Sequence, residues 1–172
     1  LTKELADSPV EAFQKDLGTG EDLISFDEAK QRIQAYKDRL KLDFDVDFAD
    51  AIFTGGVNKD GSKERAYGVT YNNKISLIDN VRRTTADHEI VHLVMNHIDK
   101  ISAFEGITRD QLLKAMNGGK DYSVNDLERL NEALAIGFEK KVAGEEDSSL
   151  PKVVRSFFER LQTLLIKLFK AL

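Results

Sequence analysis

Two histidines four residues apart, with a glutamate directly after the first, give His88-Glu89-Ile90-Val91-His92 the types and spacing to do chemistry. On an α-helix, positions i and i+4 project from one face about one turn apart. At that separation two imidazoles can ligate one tetrahedral Zn2+. Glu89 lies about 100° round the helix from His88, so its carboxylate can reach a water on the metal without ligating the metal itself. Zinc lowers the pKa of such a water to about 7, and the carboxylate takes its proton as the water attacks a carbonyl. The chain holds three histidines in all. The third, His97, follows His92 by five residues, about 140° round, and is a bystander while the helix continues.

A catalytic zinc takes three protein ligands and keeps one position open. With no cysteine in the chain, any such metal is held by histidine and carboxylate. The segment RLNEALAIGFEKK, residues 129–141, offers Glu132. It stands at the border of an amphipathic helix whose buried side is Leu127, Leu130, Leu134 and Phe138, with Ala133 and Ala135 small enough to let another helix close. A glutamate in that position faces either a cleft or solvent, and spacing leaves both open. Glu128 and Glu139, on the same helix, read as solvated. Glu105 is the alternative third ligand.

The elements that must position these groups follow from pattern. Ser8-Pro9-Val10-Glu11 is a capping box that opens a short helix stopped by Gly18. Ser25-Phe26-Asp27-Glu28 opens another through about Leu40, with Ala29, Ile33, Tyr36 and Leu40 on one face. In LDFDVDFAD, Leu42, Phe44, Val46 and Phe48 alternate with Asp43, Asp45 and Asp47, the pattern of a half-buried strand. Alternation puts those aspartates on one solvated face, unlike a calcium loop. TGGVNKDGSKE, residues 54–64, reads as a loop. Tyr67 to Ile78 reads as a hairpin turning at Asn72-Asn73. Helices follow: one carrying the histidines, one capped at Thr108 and stopped near Gly118-Gly119, one opened at Ser123 and running to Gly144, and one opened at Pro151. The fold class is α+β, with N-terminal helices over 1–41, a core over 42–144 and an amphipathic C-terminal helix over 151–172. On that last helix Val154, Phe157, Phe158, Leu161, Leu165, Leu168 and Leu172 form an apolar stripe for packing on the core or on another copy, rather than on a membrane surface.

The 172 residues, 41% hydrophobic, make one domain with a proper core. A formal net charge of −5 gives no support to nucleic-acid binding. No stretch has a signal-peptide layout or the length of a membrane span. The chain begins at Leu1, as a processed or excised chain would. Lack of cysteine fits a reducing compartment or a secreted protein without bridges, with the cytoplasm slightly favoured.

HEIVH followed downstream by NEALA resembles the gluzincins, the thermolysin-like zinc metallopeptidases, over roughly residues 65–140. The resemblance implies His88, His92 and Glu132 as zinc ligands and Glu89 as general base. It also implies Tyr122 as oxyanion donor, ten residues before Glu132 where that family places a tyrosine nine before. An extended peptide substrate would add along the hairpin Tyr67–Ile78. The chain departs from the family in two places. Forty residues separate His92 from Glu132, about twice the family spacing, and Ile136 stands where the family carries an aspartate that supports a ligand histidine. A backbone carbonyl, Asp87 or Asp79 is the expected substitute. The compact layout and the tail LPKVVRSFFERLQTLLIKLF are also similar to zincin-like domains within the polyvalent proteins of phages and conjugative elements. That likeness implies a domain of a longer chain acting in a newly entered cell. The expected fold is a minimal zincin, a small twisted sheet packed on the histidine helix, and the expected activity is zinc-dependent endopeptidase cleavage. The alternative is a zincin-shaped module that binds peptides or proteins without cutting them.

Overall fold

The structure, a computed structural model, describes residues 2–4, 12–14, 23–71, 73–145 and 147–170, with side chains described from residue 23 to residue 164 among these. Three short strands come first: β1 (Thr2–Glu4), β2 (Ala12–Gln14) and β3 (Leu23–Ile24). After α1 (Phe26–Leu40) come β4 (Asp45–Phe48), β5 (Ala51–Val57), β6 (Lys63–Ala66), β7 (Gly68–Tyr71), β8 (Lys74–Leu77) and β9 (Val81–Arg82). The remainder is helical: α2 (Arg83–His97), α3 (Arg109–Met116), α4 (Leu127–Val142) and α5 (Lys152–Lys170). The class is α+β, as the order of patterns implies.

Local signals explain most of these elements. Ser25 caps α1 by accepting from the Glu28 N–H at 3.2 Å, and Ala29, Ile33, Tyr36 and Leu40 form its buried face. Thr108 and Gln111 form a reciprocal capping box on α3. Asn73, at φ 59°, turns the β7–β8 hairpin in the left-handed conformation that asparagine tolerates.

Two expectations are corrected. The helix expected from Ser8 is a strand at Ala12–Gln14, because this segment pairs antiparallel with β7 and tertiary pairing overrides a local cap. Ser8–Glu11 and Gly18 themselves lie outside the described residues. The stretch 54–64 is no loop but a hairpin of β5 and β6, whose turn is confined to Asn58–Ser62 and closed by Asn58 N–H to Ser62 O at 2.8 Å. Gly55, at φ 90°, sits where the β5–β6 register shifts, so the glycine pair marks a bulge inside a strand.

β2, β7, β8 and β4 form one sheet in that order, with β7 antiparallel to both neighbours and β4 parallel to β8. The aspartates of β4 behave as surface groups: Asp45 is exposed, and Asp47 engages Ser76 and Lys74. β1-β5-β6 form a second sheet and β3-β9 a two-stranded ribbon. Ala49, Ile52, Ala66 and Val69 make a small core of their own. The main core gathers α1, β8 and all the following helices around α2, which is buried without interruption from Thr84 to Met95.

α5 closes this core. Val154, Phe157, Phe158 and Leu161 are fully buried, so the first half of the C-terminal stripe packs within its own chain. Fully burying each phenylalanine contributes about 1.5–3 kcal/mol. Gly137 on α4 makes the approach feasible, since a Cβ there would stand 3.0 Å from the Phe158 ring. Among the described residues no helix is long and apolar enough to cross a membrane.

Candidate metal centre

The buried stretch of α2 that carries Asp87, His88, Glu89 and His92 must give these groups partners, because burying an unpaired polar or charged group is costly. The partners come from α4, α1 and β7. Glu132 on α4 reaches both histidines, and Glu139, seven residues on, reaches back to His88 and Thr84. Moving up α4 therefore moves down α2, so the two helices run antiparallel.

The three ligand atoms converge. His88 Nε2 and His92 Nε2 lie 3.4 Å apart, and Glu132 Oε1 lies 3.4 Å from the first and 2.8 Å from the second. Four donors placed tetrahedrally at zinc's usual 2.0–2.1 Å stand about 3.3 Å from one another. The two 3.4 Å edges match that figure, and the 2.8 Å edge needs only a small opening. Two imidazole nitrogens and one carboxylate oxygen are also a donor set that zinc accepts. The residues present fit the metal. Glu105, the alternative ligand, lies exposed and outside this group, with its carbonyl accepting from Arg160. His97 lies outside it too, at 2.6 Å from Asn73 Oδ1.

Protonation answers to the same geometry. Burial disfavours a charge on His88, but hydrogen bonds to Glu132 and Glu139 outweigh it and hold its pKa up at about 10 when no metal competes. Burial lowers His92. Burial also works against the Glu132 carboxylate, yet the two histidines bring it down to about 2.

The partner of His88 Nδ1 is a residue that sequence reading placed in solvent. Glu139 is buried, with Oε2 at 3.1 Å from His88 Nδ1, and Oε1 accepting from the Thr84 hydroxyl at 2.9 Å and from Arg82 at 3.3 Å. The available signal was spacing. Seven residues turn a helix through about 700°, which returns Glu139 to within about 20° of Glu132. The expected substitutes are engaged elsewhere. Asp87 takes a bidentate bond from Arg32 at 2.9 Å and the Tyr36 hydroxyl at 3.0 Å, which ties α1 to α2. Asp79 caps α1 at the Phe26 N–H. Ile136 is exposed.

Glu89, directly after His88 on α2, packs against β7. Thr70 on β7 donates to its Oε2 at 2.5 Å, while Oε1 is buried with no partner. Burial raises this carboxyl to about 7, against the pull of His88 and the Thr70 hydroxyl. Tyr122 is half-buried, and its hydroxyl donates to Asp110 Oδ1 at 2.9 Å on α3. Beside His92 a cavity of about 260 Å³ is walled by Asn96, Arg109, Leu127 and Asn131 among others, and Asn131 Oδ1 is a buried acceptor without a partner.

Comparison with protein-family models, with curated proteins and with solved structures found no match to this chain.

Proposed function

We propose that this chain is a zincin-type metallopeptidase that hydrolyses peptide bonds with zinc held by His88, His92 and Glu132. One observation carries the reading. The three ligand atoms gather at tetrahedral spacing next to a fully buried glutamate with one oxygen fixed and the other left open. Neither purely structural histidines nor a purely structural glutamate would need that combination.

When bound, zinc supplies Lewis acidity, which acidifies water and polarises the scissile carbonyl. Glu139 accepts the Nδ1 proton of His88, fixing the tautomer that offers Nε2 to the metal. Thr70 holds Glu89 Oε2 in place, so that Oε1 takes a proton during attack and passes it to the leaving amine. β7, above Glu89, keeps bulk water from that oxygen.

The test is cleavage of an unstructured protein by wild type and by Glu89→Gln, each carrying its full zinc content. The variant keeps the ligands and loses the base, so its rate should fall by a factor of about 10² to 10⁴. Equal rates would remove Glu89 from the reaction. No cleavage by zinc-loaded wild type across many proteins would leave a module that binds without cutting.

A further inference from the structure

β7 lies directly against Glu89. Thr70 donates to that carboxylate, and a Cβ on Gly68 would stand 3.2 Å from its Oε1. Residues 68 and 70 share one face of the strand, so this face rests on Glu89 while Val69 points into the small core on the other side. One edge of β7 is paired with β8. The other is the line along which an extended peptide would pass the carboxylate by strand addition. That edge is already taken. β2 pairs with it antiparallel, placing Ala12 opposite Thr70, Phe13 opposite Val69 and Gln14 opposite Gly68, and β2 also packs on α2.

We infer that Ala12–Gln14 is a self-supplied strand that occupies the peptide-binding edge of β7, so that an extended polypeptide must displace it to reach Glu89. The inference rests on the proposed peptidase reading only in calling that polypeptide a substrate. Competition for the edge needs no zinc. One row of backbone N–H and C=O groups pairs with one strand at a time, so the two occupants exclude each other. Tethering gives β2 an effective concentration of order 1 mM. If the same pairing has a dissociation constant of about 0.1 mM in trans, roughly one chain in ten has the edge open.

The absence of cysteine allows a clean test on the full chain. Cysteines at positions 13 and 69 (F13C/V69C) would stand opposite each other in the pair, at the register that suits a cross-strand disulfide. Oxidation pins β2 and reduction frees it. Separately, Phe13→Pro removes an N–H and weakens the pairing. The probe is a labelled peptide of residues 10–16, VEAFQKD, followed by fluorescence anisotropy with and without zinc. Oxidised F13C/V69C should bind no peptide, its reduced form should bind, and Phe13→Pro should bind about tenfold more tightly than wild type. Cleavage of an unstructured protein should rank in the same order. Equal binding by oxidised and reduced forms would overturn the inference. So would a folded pair that does not oxidise, or weaker binding and slower cleavage in Phe13→Pro, which would mean that the peptide adds to β2 itself. Binding that follows the lock while no form cleaves would uphold the strand competition and sink the peptidase reading. Cleavage that needs Glu89 but ignores the lock would sink the competition alone.

Discussion

Replacing Glu139 should weaken zinc binding without touching a ligand. Its carboxylate serves the His88 Nδ1 proton at 3.1 Å, the Thr84 hydroxyl at 2.9 Å and Arg82 at 3.3 Å. Glu139→Ala strands two buried donors, each costing about 1–3 kcal/mol, so stability should fall by about 2–6 kcal/mol. The His88 ring also loses the group that fixes its tautomer, a loss that typically weakens metal binding by about 10- to 100-fold, equivalent to about 1.4–2.7 kcal/mol. Glu139→Gln keeps an acceptor but not the charge and should sit near the tenfold end. The assay is zinc competition against a chromophoric chelator, with melting followed on the same samples. Phe157→Ala separates the two effects. It should cost about 3–5 kcal/mol of stability through a core cavity and leave zinc affinity of the folded protein unchanged. A folded Glu139→Ala protein with zinc affinity within twofold of wild type would refute the reasoning.

Three further outcomes follow from other contacts. Because His88 holds its proton up to about pH 10 without metal, zinc must displace it. Calorimetry at pH 7–8 in buffers of different ionisation enthalpy should therefore find protons released on zinc binding, and affinity should fall as pH falls; no release would contradict the His88 assignment. Gly68→Ala would bring a Cβ to 2.9 Å from Leu77 and 3.2 Å from Glu89 Oε1. It should destabilise by about 1–3 kcal/mol and slow cleavage more than it alters zinc content; unchanged melting and rate would place Glu89 elsewhere. Asp87→Ala leaves Arg32 buried without its bidentate partner and should cost about 3–5 kcal/mol in chemical denaturation, whereas a loss below about 1 kcal/mol would mean that the pair does not hold α1 on α2.

How legible the molecule was in its sequence depended on how local each cause is. Ser25 and Thr108 announced their helices because a cap acts within four residues, and the buried face of α1 was plain from its period. His88 and His92 converge because one helix dictates their spacing. Glu132 was open on spacing alone, since its burial depends on the distance and direction of α2. Glu139 was misplaced for the same reason: its partners lie on a helix more than fifty residues earlier. The β5–β6 hairpin hid behind glycines that form a bulge, and β2 behind a capping signal that a cross-sheet pairing overrides. The Tyr122 hydroxyl donates to Asp110, a contact that depends on where α3 packs and has no mark in the local sequence.

The most direct test of the central claim is the zinc content of protein purified without added metal, by elemental analysis on folded wild type, His92→Ala, Glu132→Ala and Glu89→Gln. The ligand atoms of His88, His92 and Glu132 lie together, and Glu89 stands beside them without joining. The account predicts one zinc per chain in wild type and in Glu89→Gln, and loss of zinc in His92→Ala and Glu132→Ala. Stoichiometric zinc in either ligand variant, or its loss in Glu89→Gln, would contradict it.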